Sequence, residues 1–146
     1  MSYQSILTEI RQRFIDQVAT PLSLDVEYEN LPSGGTDNAI APPREPETDT
    51  LFVRAYNRPG AAQQAEIGKV GTRSARWVGL LIVQVFVPSG LGTKPGYDIA
   101  DKMLVEFGAK TVGSVTYGLI TPTYAGPAGD RWQLNLSCPW TAEFMV

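Results

Sequence analysis

The stretch Arg73-Ser-Ala-Arg-Trp-Val-Gly-Leu-Leu-Ile-Val-Gln-Val-Phe-Val-Pro88 decides how the rest of the chain is read. Its middle, Trp77 to Phe86, is apolar at nearly every position, broken only by Gly79 and Gln84. Alternation would mark a strand with one wet face, whereas a continuous apolar run marks a central strand covered on both faces. The run is ten residues long, too short to cross a bilayer as a helix. Pro88 ends it, because proline has no amide hydrogen to give to a ladder. A sheet is therefore expected around this segment, with Arg73 and Arg76 flanking Trp77 at its start, where arginine can stack on an aromatic ring.

Working outward, Thr50 to Asn57 reads as a strand through Leu51, Phe52, Val53 and Tyr56. Arg58 to Thr72 reads as a Gly- and Ala-rich loop, with helix formers at Ala61 to Ile67 that suit one short turn. After a turn-rich Ser89 to Gly96, a helix from Pro95 or Tyr97 puts Ile99, Met103, Leu104 and Phe107 on its core face, with Gly108 suited to the C-terminal cap. Val112 to Ile120 is expected as a strand with Val115, Tyr117 and Leu119 aligned, and Pro122 to Gly129 as a loop. Trp132, Leu134, Leu136, Cys138 and Trp140 then alternate with Gln133, Asn135 and Ser137, which predicts a half-buried strand.

Towards the N-terminus, Tyr3, Ile6, Leu7, Ile10, Phe14 and Val18 form one helical stripe, with Arg11, Gln12 and Arg13 largely opposite. Pro21 ends this helix before Thr20. Leu24 to Tyr28 alternates as a short strand. Asn30 to Asp49 holds Pro32, Gly34, Gly35, Pro42, Pro43 and Pro46 and no apolar face, so it reads as a long loop, either a binding element or a segment flexible until a partner orders it. The sum is a single α+β domain over 1–146, with long loops at 30–49 and 58–72. Its sheet is mainly antiparallel or mixed, of about five strands, with two main helices packed on it. The core is expected at Ile6, Ile10, Phe14, Val53, Leu81, Val83, Ile99, Met103, Leu134 and Leu136.

Composition narrows the chemistry. The 146 residues are 43% apolar and 18% charged, enough to bury a core and too apolar for a disordered chain. There is no histidine and one cysteine, which removes disulfide frameworks, histidine-based triads and ordinary zinc sites. No apolar leader follows Met1, so a soluble cytosolic protein is expected. Gly90-Leu-Gly-Thr-Lys-Pro-Gly96 imitates a phosphate loop but puts Pro95 where a backbone amide is needed. Cys138 lies on the apolar strand face, as a small hydrophobe. Asp98 and Asp101 suit a helix N-terminus rather than a catalytic pair. The prolines between Glu45 and Asp49 break up any calcium-ligand spacing. Asn135-Leu-Ser137 matches a glycosylation sequon inside a predicted strand. Tyr56, Tyr97, Tyr117, Asp98 and Lys94 are the side chains a small-molecule or hydrolytic site would have to use. No catalytic, cofactor-binding or metal-ligating residue is assigned.

Charge is split along the chain. Asp25 to Asp49 carries a net of −6 and Arg54 to Lys94 a net of +5. Two solvated loops of opposite sign account for this. So does an acidic loop of one subunit facing a basic loop of the next, since complementary charge sets orientation between partners. On the second reading Arg73 and Arg76 meet Glu45, Glu47 and Asp49 across a subunit interface, while Arg58 and Lys69 lie in exposed loop or face a lumen.

The order of these features resembles the tail terminator and tail-completion proteins of long-tailed bacteriophages. The residues that carry it are the amphipathic N-terminal helix, Leu51 to Arg54, Ile67-Gly68, the Arg73, Arg76 and Gly79 spacing, Val83 to Pro88, the helix at Asp98 to Phe107 and the strand from Trp132. The resemblance covers roughly Ser5 to Thr141. It implies a non-enzymatic virion protein, assembled in the host cytoplasm, that forms a hexameric ring on the head-proximal end of the tail tube. Its partners would be the tube protein and the neck, with DNA passing near the lumen. A head-completion or neck component of the same particle is the neighbouring alternative.

Overall fold

A computed structural model describes residues 2–28, 51–64, 73–128 and 131–145. Helix α1 (Tyr3–Phe14) continues through a π turn (Ile15–Ala19) to strand β1 (Val26–Tyr28). Strands β2 (Phe52–Gln64) and β3 (Ser74–Pro88) precede helix α2 (Lys94–Phe107). The short strands β4 (Thr111–Val112) and β5 (Val115–Tyr117) lead to β6 (Thr121–Ala128) and β7 (Arg131–Met145). Among the described residues this is an α+β fold with a mixed seven-stranded sheet, ordered β1-β2-β3-β7-β5-β4, and β6 also paired to β7. Only β1 and β2 run parallel; the other pairs are antiparallel.

Strand β3 is central, as its apolar run requires. It pairs with β2 through most of its length and with β7 from Ser74↔Met145 to Pro88↔Arg131. The odd positions Trp77, Leu81, Val83, Val85 and Val87 join Leu134, Leu136, Cys138, Trp140 and Ala142 of β7 in the buried core. Both helices lie on this face. All ten expected core residues are buried, none more than 3% exposed.

Helix α1 contributes Ile6, Ile10, Phe14 and Val18, each four residues after the last and each fully buried. An α-helix turns about 40° too far in every four residues. The π turn winds more slowly and returns Val18 towards the sheet, which accounts for its position where the four-residue spacing has run longest. Ser2 and Ser5 cap the other end reciprocally. Arg13, expected on the outer side, turns in: its guanidinium donates to the Glu106 carbonyl at the end of α2 and lies 5.4 Å from the Phe107 ring centre. A cation there meets the negative end of the helix dipole.

Gly79 sits on the helix-covered face, and its missing side chain makes room for Trp140. A Cβ added there would lie 2.4 Å from the indole. The Trp140 ring packs edge-on to Trp77, 5.1 Å between centres, and Tyr3 of α1 packs on Trp77 at 4.6 Å. Trp77 is thus held by aromatic rings, not by a stacked arginine.

Several sequence expectations are corrected. The segment 58–64 is strand, not loop or helical turn; pairing with β3 resumes at Ala62↔Trp77 after a bulge beyond Pro59, so the Gly60-Ala61 punctuation marks an irregularity inside a strand. The expected loop at Pro122 to Gly129 contains β6, whose prolines are tolerated because a sheet edge leaves alternate amides unused. The Val112 to Ile120 strand is interrupted by a turn, and Leu119 is 64% exposed. Helix α2 starts at Lys94, so Asp98 and Asp101 lie beyond its first turn. Leu104, expected in the core, is 45% exposed. Gly108 is the C-cap of α2, as expected, but the left-handed residue is the next one, Ala109, at φ 53°.

Candidate interaction surface

The face of the sheet opposite the helices carries the even positions of β3 and the residues beside them. In register across β2, β3 and β7 run Tyr56, Ile82 and Ser137, then Arg58, Leu80 and Pro139, with Val78 beside Thr141 in the next row. Val78 is 41% exposed and Leu80 37%, with Ile82 and Tyr56 half-buried. No helix among the described residues packs on them. The second cover that the run at Trp77 to Phe86 predicts is therefore not supplied by α1 or α2.

The two ends of this face differ. At one end Phe52 and Phe86 stack at 4.6 Å, 9° from parallel, with Arg54 lying 5.2 Å from the Phe86 ring centre and Arg131 4.8 Å from that of Phe52. Arg54 also pairs with Glu27 of β1 at 3.0 Å. Arg131 is 3% exposed, so this end is packed and closed. At the other end Arg76 donates to Glu143 of β7, at 2.9 Å from Nε and 2.5 Å from Nη2, with both side chains about half exposed.

The expected interface residues are only partly brought into view. Glu45, Glu47, Asp49 and Lys69 lie outside the described residues, as does the whole of the segment 30–49. Arg73 is half-buried, and its buried Nε has no hydrogen-bond partner. Arg76 faces the open side of the sheet and is held by an acid of its own chain. Arg58 is exposed, standing on a strand beside Leu80.

The residues a small-molecule site would need do not converge. Tyr56 is on the open face, whereas Tyr117 is 1% exposed on the helix side, edge-on to Phe107 at 5.0 Å. Burial raises the Tyr117 hydroxyl pKa, and the hydroxyl has no hydrogen-bond partner. Lys94 and Asp98 pair with each other at 2.7 Å on the outside of α2, which raises the lysine pKa. The Cys138 thiol is fully buried, with its pKa pushed up to about 12 by desolvation, so it stays an unreactive thiol at neutral pH. Among the described residues no three metal-ligating side chains cluster, and no helix is long and apolar enough to cross a membrane. A concavity of about 690 Å³ along α1 is lined by hydroxyl, amide and charged side chains from Ser2 to Gln17.

Sequence reasoning missed a second apolar surface. Tyr97, Asp101, Leu104 and Val105 follow at spacings of four, three and one, one stripe on the side of α2 away from the core. Tyr97 is 42%, Leu104 45% and Val105 61% exposed. The signal was present in the sequence, since α2 has more apolar positions than one buried stripe uses.

No protein-family model and no curated protein matches this chain. Among solved structures, one is similar over 100% of this chain and 99% of its own, at 18% identity and a TM-score of 0.68. At that identity the likeness shows the fold alone, an α+β sheet with two packed helices.

Proposed function

We propose that this chain is a structural subunit of a long-tailed phage, a tail terminator that closes into a ring on the head-proximal end of the tail tube. One observation carries the reading: the central strand β3 is apolar on both faces, and the helices cover only one. Val78, Leu80 and Ile82 lie in the middle of the open face. Exposed apolar side chains grouped in this way mark a surface that another protein covers. A repeating subunit supplies that cover with its own copies, and a closed ring needs two different patches on each subunit. The wide separation of the candidate polar groups, and an inert thiol, favour assembly over catalysis.

The test is mass and action together. Native mass spectrometry of the purified chain is expected to show one closed oligomer of six copies, and adding it to growing tail tubes is expected to stop elongation. A chain that stays monomeric at micromolar concentration, or tubes that lengthen unchanged in its presence, overturns the proposal.

A further inference from the structure

Resting on the ring reading, the geometry points to the two patches that meet: the open face of the β2-β3-β7 sheet on one copy receives the outer stripe of α2 from the next. Each patch is apolar, exposed and without a cover among the described residues. The sheet patch is centred on Leu80 and Val78, and the helix patch on Leu104 and Val105.

Charge decides how they pair. On the sheet face Glu143 is bound to Arg76 and Glu27 to Arg54, so both acids are taken by arginines of the same chain. Arg58, exposed and directly beside Leu80, adds positive charge at the centre of the patch. On the helix stripe Asp98 is held by Lys94, and Asp101 stands exposed between Tyr97 and Leu104. Pairing either patch with its own copy by a two-fold axis sets Arg58 against Arg58 or Asp101 against Asp101, and like charges at an interface cost affinity. Pairing sheet with helix sets Arg58 near Asp101, where a carboxylate suits a guanidinium fork. That contact is heterologous, the kind from which rings are built. The edge strand β6 is poorly suited to joining copies by strand addition. It is interrupted by Pro122 and Pro127, and its register shifts between Tyr124 and Gly126.

The native cysteine is buried, so introduced thiols report the contact without competition. The double variant Leu80→Cys with Val105→Cys is expected to give, on mild oxidation, a ladder of covalent oligomers ending at the ring number, and neither single variant is expected to cross-link. Arg58→Glu is expected to weaken association at least about tenfold, and adding Asp101→Arg to restore it. Dimers from Leu80→Cys alone would establish a two-fold contact and overturn the inference. Intact rings without a ladder would place the contact on other surfaces and leave the ring reading standing. A monomeric wild-type chain would overturn both.

Discussion

The two faces of one sheet teach different things. On the helix side Trp77, Leu81, Val83, Val85 and Val87 of β3 and every second residue of β7 from Leu134 to Phe144 are buried in one core with residues of α1 and α2, and the space over Gly79 is filled by the Trp140 indole. On the other side the same strands present Val78, Leu80, Ile82 and Pro139 to the surroundings, framed by a closed aromatic-arginine cluster and an exposed ion pair. The first face is spent on folding the chain. On the second, Phe52 and Phe86 are buried at one end while Val78 and Leu80 stay exposed in the middle, and on the proposed reading a partner covers them.

Truncating one leucine on each face separates their contributions to stability. Leu134→Ala, on the helix side and fully buried, is expected to cost about 2–5 kcal/mol in chemical denaturation of the isolated chain, through lost transfer energy and a cavity. Leu80→Ala, at a site 37% exposed, is expected to cost clearly less, about 1 kcal/mol, because part of its side chain is already in solvent. Equal losses at both sites would mean that the open face is already packed in the single chain.

A smaller effect probes the filled glycine. Gly79→Ala drives a methyl group into the Trp140 ring, and overpacking of this kind is expected to cost about 1–3 kcal/mol. Trp140 fluorescence should shift at the same time. A variant as stable as the parent, with unchanged emission, would show that the indole has room to move.

The smallest effect belongs to Arg76. Its pairing with Glu143 is half exposed, so Arg76→Ala is expected to cost the isolated chain at most about 1 kcal/mol, and less in high salt. A larger, salt-independent loss would place the pair in a drier setting than its exposure indicates.

Within the chain, local periodicity was enough wherever burial is one-sided. The stripe at Ile6, Ile10 and Phe14 and the alternation from Trp132 to Trp140 place their residues by geometry alone, because helix and strand repeats fix which side chains share a face. The same reasoning failed where long-range pairing overrides local punctuation. Gly60-Ala61 and the Pro122 to Pro127 region carry loop residues, yet each lies beside a long strand that already holds its own register, and the ladder recruits them. Leu104 was misplaced because α2 has two apolar stripes, and periodicity cannot say which one faces the sheet.

Among the candidate interface residues, the chain itself identified the arginine-rich segment and the two-sided apolar run. Only the folded arrangement showed that Arg76 is taken by Glu143, sixty-seven positions away, and that Arg58 stands beside Leu80 on an open face. Those facts come from strand register, which joins residues remote in sequence. Which face the helices choose is likewise settled by tertiary packing: β3 is apolar on both sides, so its own sequence prefers neither, and the alternation in β7 and the close fit of Trp140 over Gly79 break the tie.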